Sequence, residues 1–152
     1  MDNEERTNEK TAASETEYRP KLIFAADGSP DPRSLAEAIY ETLDRRSAGD
    51  PSLLRLNNRT DLCEYIVICT ALSTTHLRAL SDEVEYRLGL CGVKAESRDG
   101  RGDGQSWTVI DYGSTMVHLF TAEARAFYSI DRLFHDAERI VPSGADAHEE
   151  KN

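Results

Sequence analysis

Leu35, Ile39 and Leu43 recur at four-residue spacing behind Asp31-Pro32, and that apolar stripe predicts an amphipathic helix. Asp31 suits the cap because its carboxylate accepts from first-turn amides. Pro32 suits the first helical position because its φ is already helical and it has no amide hydrogen to leave unpaired. Gly49-Asp50-Pro51 should end this element, followed by a short strand over residues 53–56 and a turn at Asn57-Asn58. Residues 65–69 (YIVIC) are unbroken apolar and β-branched, the pattern of a strand covered on both faces. Ser73, Thr74 or Thr75 can cap the next helix, with Leu77, Leu80, Val84 and Leu88 as its buried stripe and Gly92 just past its end. Residues 93–98 should form the next strand. Strand, helix and strand at this spacing make a βαβ unit, so the two strands should be parallel.

The second half reads as a glycine-rich loop (residues 99–106, DGRGDGQS) and then a tight hairpin. Two strand-like runs flank Gly113-Ser114, and a two-residue turn there pairs Tyr112 with Thr115, Asp111 with Met116, and so on out to Trp107 with Phe120. Because strand side chains alternate, one face carries Thr108, Ile110, Tyr112, Thr115, Val117 and Leu119, an apolar set suited to a core. The other carries Trp107, Val109, Asp111, Met116, His118 and Phe120. Its aromatic and Met content is typical of the centre of a protein interface, or of a sheet face covered by a helix. Thr121 should cap a helix over TAEARAFY with Glu123 in its first turn, and a last helix should run from Ser129 or Asp131 to about Arg139.

Composition narrows the partners. The chain of 152 residues carries a formal net charge of −10, and its central part, residues 31–140, has 13 basic and 18 acidic groups. No cluster of Lys and Arg exists to neutralise phosphates, which argues against sequence-specific nucleic-acid binding. An acidic surface favours basic protein partners. Residues 1–30 and 141–152 are polar and acidic and read as disordered tails around a 31–140 domain. The apolar KLIFAA stretch (residues 21–26) is either an added strand or a segment that pins the first tail. No run of apolar residues is long enough to span a membrane, and the N-terminus resembles neither a secretory nor an organelle leader, so the cytoplasm of a bacterium-like cell is the expected location. Cys63, Cys69 and Cys91 lack C-x-x-C spacing and read as free thiols.

The run WTVIDYGSTMVHLFTAEARAFYSIDRLFHDAERI (residues 107–140) resembles the C-terminal half of the Iojap-type ribosomal silencing factor family. The matching positions are Trp107, Asp111, Gly113, Val117, His118, Phe120, Arg125, Phe127, Tyr128 and Leu133. Upstream, YIVICTALSTTHLRALSDEVEYRL (residues 65–88) resembles the family's strand, turn and Ala-Asp-Glu-Val helix. Gly113-Ser114 stands where the family has Gly-Asp, and Leu133-Phe134 where it has Leu-Trp. The resemblance implies an α/β fold with a mixed sheet of about five strands flanked by helices, related to nucleotidyltransferases but without their catalytic residues. It implies no enzyme activity and no cofactor. The partner it implies is ribosomal protein fourteen of the large subunit, where a bound factor blocks small-subunit joining and lowers translation when nutrients are scarce. Trp107, Tyr112 and Phe120 are then the expected apolar anchors, Asp111 and Glu123 face basic groups, and His118 and Tyr128 complete the partner-binding set.

Two other classes stay open at this level. A divergent nucleotidyltransferase needs paired carboxylates to hold Mg²⁺, and Asp111 has no Asp-x-Asp companion. The Gly100, Gly102, Gly104 series precedes a strand rather than a helix, so it lacks the setting of a dinucleotide fingerprint. His76, His118, His135 and His148 show no zinc-ligand spacing. The third class is a homodimeric scaffold that uses the same aromatic face on a second copy.

Overall fold

The computed structural model describes residues 18–56, 63–100 and 104–142. Helix α1 (Pro32–Arg45) begins as its sequence requires, with the Asp31 carboxylate accepting from the Ser34 amide at 3.0 Å. It is followed by β1 (Gly49–Arg55), β2 (Tyr65–Ala71) and α2 (Thr74–Leu90), the last capped by the Ser73 hydroxyl on the His76 amide. Then come β3 (Ser97–Asp99), β4 (Trp107–Asp111), β5 (Thr115–Thr121), the short helices α3 (Ala122–Phe127) and α4 (Ile130–Leu133), and β6 (Glu138–Ile140).

The strands form one six-stranded mixed sheet in the order β3-β4-β5-β2-β1-β6. Among the described strands only β2 and β5 pair in parallel; every other neighbouring pair is antiparallel. Helices α1 and α2 cover one face. Leu35, Ile39, Leu43, Leu77, Leu80, Val84 and Leu88 meet Leu53, Val67, Cys69, Ile110, Val117 and Leu119 there in the main core. Ile66 and Ile68 point to the opposite face, so β2 is buried on both sides as its unbroken apolar run demands. That opposite face has a smaller cluster, covered by α3 through Ala124 and by Phe134 just past α4.

Three expectations need correction. Gly49-Asp50-Pro51 does not end an element but lies inside β1, where the register shifts between Gly49 and Ser52. The bulge interrupts the ladder and admits both Pro51 and a left-handed Asp50 at φ 41°. The strand after α2 is only three residues long and does not pair with β2. It runs in the same direction, but β4 and β5 lie between them, because the hairpin takes the place beside β2. The chain beyond α4 is not helical to Arg139. Glu138–Ile140 forms β6 on the free edge of β1, and Ile140 is buried in the main core.

Residues 18–30, read from sequence as part of a disordered tail, make specific contacts. The Tyr18 ring lies under the Arg45 guanidinium at 3.8 Å, Arg19 donates to the Leu90 carbonyl, and Pro20 accepts from the Cys91 thiol. Phe24 bridges Pro30 in a small antiparallel loop, which makes KLIFAA a pinning segment rather than a sheet strand. Asn57-Asn58, residues 101–103 and most of each expected tail lie outside the described residues.

Candidate docking surface

The β4–β5 hairpin has the register expected from Gly113-Ser114: Trp107 opposite Phe120, Val109 opposite His118, Asp111 opposite Met116. Gly113 has φ +88°, a left-handed conformation that a residue without a Cβ adopts readily. The Tyr112 amide donates to the Thr115 carbonyl at 2.9 Å and closes the turn.

Alternation places Trp107, Met116, His118 and Phe120 on the face away from α1 and α2. The chain then folds back on itself. Thr121 caps α3 by accepting from the Ala124 amide, and α3 packs across β5 and β2 with Ala124 against the cluster. The result is a series of contacting rings. Trp107 lies 4.9 Å from Phe120, 5.1 Å from Tyr128 and 6.3 Å from His118 between ring centroids. His118 stacks on Phe120 at 6.0 Å and meets Phe134 at 5.8 Å. Burial among these apolar rings disfavours the imidazolium and holds the His118 pKa down to about 4, so the ring is neutral at physiological pH.

Three large apolar side chains of this arm are open to solvent, among the charged and exposed Glu123, Asp131 and Arg132. Phe127 is 79 % exposed, Leu133 64 % and Tyr128 51 %. Glu123, one turn before Phe127, is exposed on the same side of α3 and gives the surface an acidic edge. Phe127 and Leu133 matched the family pattern but were not expected as contact residues. Helices of six and four residues are too short for periodicity to reveal which side faces water.

Two expected anchors lie elsewhere. Phe120 shares the aromatic face but is 0 % exposed, sealed beneath α3 with its ring against Trp107. Tyr112 points the other way, into the main core, and does not reach out from the hairpin tip. Burial, with Glu85 nearby, pushes its phenol pKa upward, and its hydroxyl has no hydrogen-bond partner among the described residues. Asp111 is half-buried, and its carboxylate accepts from the Gly113 amide at 2.7 Å, which commits one oxygen to the turn. Trp107 is also half-buried, with its indole N–H unpaired among the described residues.

Beneath the arm, Arg125 leaves α3 inward and is 8 % exposed. Its guanidinium grips both Asp131 oxygens, at 2.8 and 3.1 Å, and donates to the Thr70 hydroxyl at 2.8 Å and the Asp50 carbonyl at 3.2 Å. Ion pairing with Asp131 and Asp50 raises the Arg125 pKa, while the same contact holds the Asp131 carboxyl below the usual range. Among the described residues no group of three or more His, Cys, Asp or Glu side chains is placed to hold a metal ion. No described helix is long and apolar enough to cross a membrane.

Comparison with known proteins gives a consistent picture. The ribosomal silencing factor of Treponema pallidum is 36 % identical over 102 residues, covering 66 % of this chain and 90 % of that one. The chloroplastic protein Iojap of Zea mays is 26 % identical over 132 residues, and the aligned part spans 56 % of its length. A crystal structure of a Chromobacterium violaceum protein superposes with a TM-score of 0.65 at 24 % identity, over 69 % of this chain and 87 % of that one. At that identity the superposition speaks to the fold alone. The family model described as "Ribosomal silencing factor during starvation" matches residues 29–152, and the chain belongs to that family.

Proposed function

We propose that this protein represses translation by docking on the large ribosomal subunit through ribosomal protein fourteen and sterically blocking small-subunit joining under nutrient limitation. The observation that carries this reading is the α3–α4 arm, where Phe127, Tyr128 and Leu133 stand in solvent and Tyr128 lies against the supported Trp107 indole. Exposed aromatic groups on a firm base are the usual energetic centre of a protein interface, because they desolvate a large area with little loss of side-chain freedom. Glu123 on the edge and the chain's net charge of −10 favour a basic protein partner. Nothing in such a mechanism requires bond chemistry, since occupying the joining surface is sufficient.

In this reading Trp107, Phe127, Tyr128 and Leu133 form the apolar centre. Glu123 and the free oxygen of Asp111 meet basic groups, and Phe120 and His118 support the indole from below. The test is co-sedimentation with purified large and small subunits, followed by a subunit-joining assay. The protein should pellet with large subunits and reduce joining in proportion to occupancy. Failure to bind large subunits, or binding without loss of joining, would remove the reading.

A further inference from the structure

Helices α3 and α4 have six and four residues, far below the length at which a helix sustains itself in water. The junction between them is unfavourable. Ser129 sits at φ +51°, in the left-handed region, and its side chain makes no cap bond to α4. Local structure therefore does not hold this arm in shape; its tertiary contacts must.

Those contacts converge on Arg125. It lies on the helix just before Phe127 and Tyr128, while its chief partner, Asp131, follows them on α4. The paired carboxylate and guanidinium thus close a short chain segment whose outer side carries the exposed rings. The remaining donors tie that segment to the sheet at two points: Thr70 near the end of β2, and the carbonyl of Asp50, turned by the β1 bulge. A planar fork with several fixed donors satisfies this set in a way that a single ammonium does not.

We propose that Arg125 is a positioning residue that locks the α3–α4 arm and thereby sets the shape of the docking surface. The Arg125–Asp131 pair acts as a latch across the Tyr128–Ser129 turn. The link to binding rests on the function proposed above; the link to arm geometry does not.

Trp107 is the chain's one tryptophan, and Tyr128 lies against it, so its fluorescence reads the arm directly in the free protein. Arg125→Met keeps the aliphatic stem and removes the fork. Asp131→Asn weakens the latch at an exposed position and leaves the sheet contacts in place. Asp131→Glu retains the charge. Acrylamide quenching of Trp107 should rise about twofold in Arg125→Met and Asp131→Asn, and their affinity for large subunits should fall by roughly tenfold, as expected when a part-buried, bidentate charge-assisted contact is lost. Asp131→Glu should stay near wild type in both. All measurements are made well below each variant's unfolding midpoint, so a general loss of stability would not move them. If Arg125→Met does not fold, Asp131→Asn carries the test alone. Unchanged quenching in the folded variants would overturn the latch, and altered quenching with wild-type affinity would overturn its role in shaping the surface. A wild-type protein that does not bind large subunits, with quenching altered as expected, would overturn the docking function and leave the latch standing.

Discussion

Tyr128 lies against the Trp107 indole with ring centroids 5.1 Å apart and planes tilted by 49°. One ring sits on a strand and the other at the end of a two-turn helix, and together they join the sheet's aromatic face to the solvent-exposed arm. Phe127 meets Tyr128 edge-on at 4.9 Å, so the contacts run without a break from the buried Phe120 to the most exposed large ring of the arm.

Phe127→Ala and Tyr128→Ala should each weaken large-subunit binding by about 1–2 kcal/mol, the scale for exposed interface aromatics. Unfolding midpoints should change little for Phe127→Ala, because its ring is already in water and little apolar burial is lost. Titration of labelled protein with large subunits, paired with thermal denaturation, separates the two effects.

Phe120→Ala should behave in the opposite way. Its ring is fully enclosed, so truncation leaves a cavity and should cost about 3–5 kcal/mol of folding stability. Denaturant titration would show this as an early midpoint. A variant with wild-type stability and impaired binding would restore Phe120 to the contact set.

Tyr112→Phe tests the other relocated anchor. The phenol oxygen is buried without a partner among the described residues, so removing it should be neutral or slightly stabilising. Large-subunit affinity should not change, because the ring lies in the main core on the far side of the sheet. Loss of binding in a folded Tyr112→Phe protein would show that the hydroxyl reaches the partner.

His118 makes stability depend on pH. Its folded-state pKa, about 4, is below the ordinary value of 6.5. Well above pH 6.5 neither the folded nor the unfolded state protonates, and the full stability is present. Between 6.5 and about 4 only the unfolded state takes up the proton, so stability falls with pH; below about 4 this group adds no further loss. The total should be about 2–3 kcal/mol, allowing for the partial exposure of the ring. Comparing wild type with His118→Phe across that range isolates the effect, and parallel stability curves would contradict it.

Much of the fold is legible in the sequence where a pattern repeats often enough. The stripes of α1 and α2 and the unbroken run of β2 each specify their own burial. The two-residue turn at Gly113-Ser114 sets the hairpin register residue by residue, and strict alternation sends Tyr112 into the core even though it sits at the strand end. The family likeness places Tyr112 at the docking surface, but alternation puts its ring in the main core.

The rest depends on contacts distant in sequence or on elements too short to have a period. Parity puts Phe120 on the aromatic face, but only the fold-back of α3 shows that it is sealed there. Glu138–Ile140 offers three residues and no alternation, so the open edge of β1 is what makes it a strand. Gly49 and Pro51 read as terminators, and only the bulge opposite β2 explains their place inside one. Arg125 belongs to the family motif, but only the fold brings its partners Asp50, Thr70 and Asp131 around it.

Whether the exposed arm docks on the ribosome is tested most directly by the equilibrium affinity of the Phe127→Ala/Tyr128→Ala double variant for purified large subunits. The variant should keep the wild-type circular dichroism spectrum, bind large subunits on the order of a hundredfold more weakly than wild type, and no longer prevent subunit joining. A folded double variant that binds and blocks joining as well as wild type would contradict the account.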